Sequence, residues 1–248
     1  MEHAETVIYH CDPATGEFLG SGAAYIGPAG DVQVPAFATV TPSPECPEGH
    51  VAVMVGAPDP IDHTCQWAVV MDWRGEALYS TADGSAFEFG LGTLAWHGLG
   101  DLPEQLTSEP RPSAFHIWLE GAWTFDLVLA RAAKVAEINA ERARREVTTF
   151  PYAGKRFDAD EQSEKRIVSA TQLASLAKNA GRAFSMAWTA ADNTEVELDA
   201  DALVDLALAL AAHRDGCHRT AKLLKDVAAV AGDEAALAAI TWPDDTEA

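Results

Sequence analysis

From Phe184 the chain runs FSMAWTAADNTEVELDADALV and on through DLALALAAHRDGCHRTAKLLKDVAAVA to Ala231 without a proline, and this stretch limits the fold most. Phe184, Met186 and Trp188 alternate with Ser185, Ala187 and Thr189, and further on Val196 and Leu198 alternate with Glu195 and Glu197. Period two is the mark of a strand with one buried face, so the two runs predict a hairpin. Ala190 to Asn193 supply turn formers between them. Asp199 then stands where a helix N-cap belongs, ahead of a long apolar-periodic segment.

That segment, Asp201 to roughly Ala231, predicts a helix about 45 Å long at 1.5 Å per residue. Written in sevens, Leu203, Leu210, Cys217, Leu224 and Ala231 fall at one position and Leu206, His213, Thr220 and Val227 at its companion. Gly216 weakens the middle, which leaves two shorter helices broken near Asp215 and Gly216 as an alternative. The seam serves either the chain's own helices or assembly with other copies. Its own helices come first, because sustained coiled coils use more and larger apolar residues.

Upstream, Phe125 to Glu146 predicts a helix with Val128, Val135 and Ile138 on one face beside Ala132 and Arg142, and with Arg142, Arg144 and Arg145 in its last turn, where cations suit the helix dipole. Phe150-Pro151 stops it. Tyr152 to Phe157 predicts a short β segment around Gly154, and Asp158 with Glu161 a capping box opening a helix that ends at Gly181. Four segments follow in the order AAKVAEINAERARRE, YAGKRFDADEQSEKRI, AFSMAWTAADNTEVELDADAL and LALAAHRDGCHRTAKLLKDV. Through them the run from Ala130 to Ile240 resembles a domain of unknown function common at the C-terminus of bacteriophage tail-fibre and tail-fibre-assembly proteins. The resemblance supplies no catalytic motif.

The net charge of −21 is unevenly placed. Residues 1–126 hold 2 basic and 18 acidic side chains, net −16, and residues 127–248 hold 15 and 20, net −5. This change predicts a boundary near Asp126, with β modules before it, an α+β domain over 127–242 and a frayed tail over 243–248. A field this negative repels phosphate backbones, which excludes nucleic acid as a partner. No apolar run approaches the ~20 residues of a membrane helix, so no membrane insertion is expected. The N-terminus lacks the basic and apolar regions of a signal peptide, and the expectation is a protein made in the host cytoplasm.

The first half is rich in Gly, Pro and aromatics. Asp12-Pro13-Ala14-Thr15-Gly16 turns a hairpin over Thr6 to Gly20. The Pro-rich Thr41 to Gly49 reads as a linker or extended arm, since each Pro removes a ladder donor. His50–Gly56, Gln66–Asp72 and Ala77–Ser80 read as short strands, with turns at Arg74-Gly75 and Asp83-Gly84. Glu120-Gly121 closes a small hairpin that sets Trp118 near Trp123, either as a mini-core or as an exposed pair that docks a partner. The pieces PEGHVAVMVG, VVMDWRGEALYSTADGS, LPEQLTSEPRP and HIWLEGAWTFD resemble, in this order, small β modules of phage tail-fibre and tail-assembly proteins.

Chemistry is thinly represented. Cys46, His50, His63 and Cys65 contain the right ligand types for tetrahedral zinc, but the spacing is not a standard one, and unpaired reduced thiols are the expectation. His213 and His218 are five apart and do not share a helix face squarely, which favours a hydrogen-bonded core histidine at His213. Asp192, Asn193 and Glu195 read as a polar turn. There is no G-x-S-x-G, phosphate loop or H-E-x-x-H, so no enzyme and no cofactor are expected.

The fold class expected is α+β, a β-rich N-terminal region of small hairpins followed by a mainly helical domain with one short hairpin. Trp118, Trp123, Trp188, Leu203, Leu206, Leu210 and Leu224 are the candidate interaction or mini-core residues. The resemblance implies a tail structural protein of the virion, in or on the fibre or baseplate, partnered by other tail or fibre proteins and homo-oligomeric, with a trimer preferred. An assembly chaperone not retained in the virion is the alternative, and a receptor-contacting tip protein the third.

Overall fold

A computed structural model describes residues 6–28, 30–91 and 94–243, and of the frayed tail expected over 243–248 all but Pro243 lies outside them. The chain divides into two compact units, residues 1–124 and 125–248.

The first unit is a series of antiparallel pairs. β1 (Val7–Cys11) lies between β2 (Phe18–Ala23) and the later β5 (Ala38–Thr39), with β3 (Tyr25–Ile26) and β4 (Val32–Gln33) pairing between them in sequence. Asp12 builds the first turn by accepting from the N–H groups of Ala14 and Thr15, both at 2.9 Å. Gly16 completes it at φ +72°, where a Cβ would stand 3.0 Å from the carbonyl of Met54, so glycine is required. β6 (His50–Val55) pairs with β7 (Gln66–Met71) along six residues. The Pro-rich stretch ahead of β6 has no regular structure, as its missing donors dictate. β8 (Tyr79–Ser80) pairs with β9 (Leu106–Thr107), and β10 (His116–Leu119) with β11 (Ala122–Phe125). Between the last two, Glu120 and Gly121 both take positive φ, +51° and +85°, the backbone a two-residue hairpin turn needs. The buried residues are few and mostly small, among them Ile8, Ala38, Thr39, Ala52, Met54 and Leu78.

The second unit opens with α1 (Leu127–Glu146), capped by Asp126, whose carboxylate accepts from the N–H of Leu129 at 2.9 Å. Its buried residues are Ala130 and Ile138. Val128, expected on that face, is 76% exposed, because it stands about 160° around the helix from the buried Ala130 at 100° per residue. β12 (Thr149–Tyr152) and β13 (Lys155–Asp158) then form a second hairpin, so the β segment expected around Gly154 becomes a full pair. α2 (Glu161–Asn179) is capped by Asp160 and not by Asp158. Asp158 is the last residue of β13, opposite Thr149, and is unavailable as a cap. Asp160 accepts from the N–H groups of Gln162 and Ser163 at 2.8 and 2.9 Å, and the Ser163 bonds lead in holding its carboxyl below the usual carboxylate range. At the other end the N–H of Arg182 reaches the carbonyl of Ala177 and that of Gly181 the carbonyl of Lys178, a Schellman motif with Gly181 at φ +66°.

β14 (Ser185–Thr189) and β15 (Glu195–Asp199) pair in the register the alternation requires, Met186 opposite Leu198 and Trp188 opposite Val196. α3 (Ala200–Val230) follows at once, unbroken through Gly216, and the short α4 (Glu234–Ala238) closes the unit. Asp199 caps α3, accepting from the N–H groups of Asp201 and Ala202 at 3.1 and 2.8 Å. Asp199→Ala is expected to cost about 1 kcal/mol, read as a lower denaturant midpoint at unchanged slope. The core joins Phe150 and Phe157 of the first of these hairpins, Ile167, Ala170 and Ala174 of α2, Trp188 and Leu198 of the second, and Leu203, Leu206 and Leu210 of α3.

Along α3 the buried line runs Leu203, Leu206, Leu210, Cys217, Ala221 and Ala228. Leu224 is half-buried and Val227 is 52% exposed. A straight helix drifts about 20° per heptad against a 3.5 repeat, so a seam written in sevens leaves the core after three heptads. The inward residues of α3 pack against the chain's own α1 and α2.

Candidate partner-binding sites

Two places in the described chain present groups suited to recognition, one in each unit.

In the first unit, β10 and β11 carry Trp118 and Trp123 on one face, ring centroids 5.2 Å apart and 75° between planes, an edge-to-face pair. The indole N–H of Trp123 donates to the carbonyl of Glu109 at 2.9 Å, and the Arg111 guanidinium lies 5.6 Å over its ring. Arg111 is held in turn by three carbonyls, of His116, Asp83 and Ala114. Both tryptophans are half-buried.

The zinc candidates do not come together. The thiol of Cys46 faces the carbonyl of Pro44 at 3.8 Å, and Nδ1 of His50 lies 3.0 Å from the carbonyl of Glu48. His63 is a backbone element: at φ +57° its carbonyl accepts from the Thr39 hydroxyl at 2.7 Å and the Val40 N–H at 3.0 Å. Among the described residues no group of three or more His, Cys, Asp or Glu side chains is placed to hold a metal ion. None of the four cysteines is in a disulfide, and the thiol of Cys11 is pushed up first by burial and then by the nearby Cys65.

In the second unit a cleft of about 460 Å3 is floored by the small residues of α3, Ala209, Ala212 and Gly216. A Cβ on Gly216 would meet nothing within 4 Å, so packing does not require glycine there and its missing side chain leaves the floor of the cleft open. The hairpin of β12 and β13 gives one wall, with Thr149, Pro151 and Arg156, and Trp242 gives another. Three guanidinium groups, of Arg145, Arg156 and Arg219, and the imidazole of His213 line it, with no carboxylate among the described lining residues.

These cations are held differently. Arg145 donates to Glu141 at 2.7 Å and to the carbonyl of Pro243 at 3.0 Å, and stacks 5.1 Å over the ring of Trp242. Arg144 leads and Arg145 follows in depressing the Glu141 carboxyl to about 2. Arg219 pairs with Asp215 at 3.1 Å on exposed helix surface, where such a pair is screened. Among the described residues Arg156 is anchored by neutral acceptors, Nε donating to the Thr149 hydroxyl at 2.7 Å and Nη2 to the Thr149 carbonyl at 2.8 Å. His213, expected as a hydrogen-bonded core histidine, lies 3.0 Å through Nε2 from the carbonyl of Arg145, while the exposed His218 faces Glu146 at 3.0 Å. Asp192 makes the polar turn, accepting from the N–H of Thr194 at 3.0 Å.

Sequence reasoning did not gather this cleft. Its cations come from α1, β13 and α3, and only the confinement of 15 of the 17 basic residues to the second half hinted at it.

Residues 129–244 match the model of a domain of unknown function, DUF4376. The segments that carried the resemblance in the second half fall wholly within that span. The chain is 32% identical over 130 residues to the prophage tail fiber assembly protein homolog TfaR of Escherichia coli strain K12, covering 52% of this chain and 60% of that protein. It is 32% identical over 130 residues to the tail fiber assembly protein of Escherichia phage lambda, covering 52% of this chain and 59% of that one. The chain thus spans about 60% of the length of the curated relatives it matches. No solved structure gives a significant match.

Proposed function

We propose, from the premise that this chain carries a DUF4376 domain and is similar to tail fiber assembly proteins, that it acts in the assembly of a bacteriophage tail fibre by binding fibre protein. The observation that carries this reading is the 32% identity over 130 residues to two proteins named for that task. An assembly factor must bind and leave, which suits a modest, partly polar contact, whereas a permanent one buries a large apolar area.

A second reading keeps the chain in the virion as an oligomeric tail component, in line with the first expectation from sequence. What favours it is the outer face of α3, where Leu208, Leu223 and Val230 are exposed. Against it, the same helix surface is interrupted by ion pairs, Arg219 with Asp215 at 3.1 Å and Lys222 with Asp226 at 2.8 Å. Charges of this kind suit solvent better than the seam of a trimer.

Quantitative mass spectrometry of purified particles separates the two. The expected result is a chain absent from the particle and abundant in the lysate, where it co-purifies with unassembled fibre protein. Presence in the particle in multiples of three per fibre would overturn this reading and establish the second.

A further inference from the structure

We infer that the cleft between α3, the β12/β13 hairpin and Trp242 binds an acidic side chain on an extended segment of the partner protein. Three features lead there. The charge is out of keeping with the molecule: in a chain of net charge −21, the described lining residues include three guanidinium groups and no carboxylate, and while Arg145 and Arg219 have carboxylate partners in Glu141 and Asp215, Arg156 has none among the described residues. Arg156 is the second feature. Its guanidinium is fixed at two nitrogens by the hydroxyl and carbonyl of Thr149, so it is oriented without being neutralised, and no described carboxylate pairs with it. A cation held by neutral acceptors is preorganised for an incoming anion, and the carboxylate needs no side chain to be ordered first.

The shape is the third. The floor of Ala209, Ala212 and Gly216 has no side chain longer than a methyl, so a backbone can approach α3 closely, and Pro151 and Trp242 give apolar flanks to a residue beside the acidic one. A volume near 460 Å3 lies within the usual range of about 300–1,000 Å3 for ligand sites. A single carboxylate suits it better than a polyanion, because the surrounding field opposes each added negative charge.

The inference rests on the proposed function in one respect, that the partner is a protein. The test uses the whole chain and isothermal titration with three probes: a capped five-residue peptide with glutamate between two leucines, the same peptide with glutamine in that place, and inorganic phosphate. The glutamate peptide is expected to bind about tenfold tighter than the glutamine peptide, the worth of one charge-assisted contact. Arg156→Gln should bring the two to the same affinity at an unchanged folding midpoint. Gly216→Leu, which adds bulk where nothing lies within 4 Å, should abolish binding of both without touching a charge.

Equal binding of the two peptides by the unaltered chain, no binding of either, or phosphate binding at least as tight as the glutamate peptide would each overturn the inference. So would peptide binding that survives Gly216→Leu. The inference and the proposed function fail separately. Fibre protein that still co-purifies at full yield with both variants would reject the cleft and keep the function. Peptide binding that depends on Arg156, with no fibre protein recovered, would reject the function and keep the cleft.

Discussion

Replacing Trp188 with alanine is expected to destabilise the second unit by about 3–5 kcal/mol, the usual range for truncating a large aromatic in a core. Trp188 is 6% exposed, sits opposite Val196 in the β14/β15 hairpin and belongs to the cluster formed by Leu198, Ile167 and the first turns of α3. The Arg166 guanidinium, 5.0 Å over the ring, covers its remaining face. Alanine would leave a cavity beside Ala170 and Ala174, residues too small to fill it from α2. The measurement is denaturant unfolding followed by far-UV circular dichroism, whose signal comes from the helices of the second unit. A loss below about 0.5 kcal/mol would show that the hairpin lies on the core and not in it.

That hairpin was legible because its information is local. Period-two alternation selects the face, Asp192 and Asn193 supply the turn, and Asp199 ends the strand and caps the helix in one residue. The hairpin turned by Glu120 and Gly121 was legible for the same reason, and so was the end of α2 at Gly181. What the sequence hid depended on competition or distance. Asp158 and Asp160 are both sound caps two residues apart, and the pairing of Asp158 with Thr149 decides between them. The β12/β13 pair was half-hidden by Pro151, which argues against a central strand but is tolerated where each strand is an edge. Its turn is made by Ala153 and Gly154 at φ +48° and +79°, and alanine does not announce a positive φ. The cleft was least legible of all. Arg145, Arg156 and Arg219 belong to three elements, and no spacing rule links them.

The seam of α3 gives the sharper test of packing, because one helix holds both a residue that should matter greatly and one that should not. Leu206 is fully buried and Val227 is half-exposed, yet both occupy the same heptad position three repeats apart. If the repeat of seven governed packing, as in a coiled coil, truncating either would cost several kcal/mol. In a straight helix packed on its own chain the position rotates by about 20° per heptad, so Val227 has turned some 60° away from the line set by Leu206. Leu206→Ala is therefore expected to cost about 2–5 kcal/mol and Val227→Ala under about 0.5 kcal/mol, both read from denaturant midpoints in the isolated chain. A large, concentration-dependent loss at Val227 would mean that its face is covered by another copy. The small-residue floor of the cleft would then stand on a helix shared with a second chain.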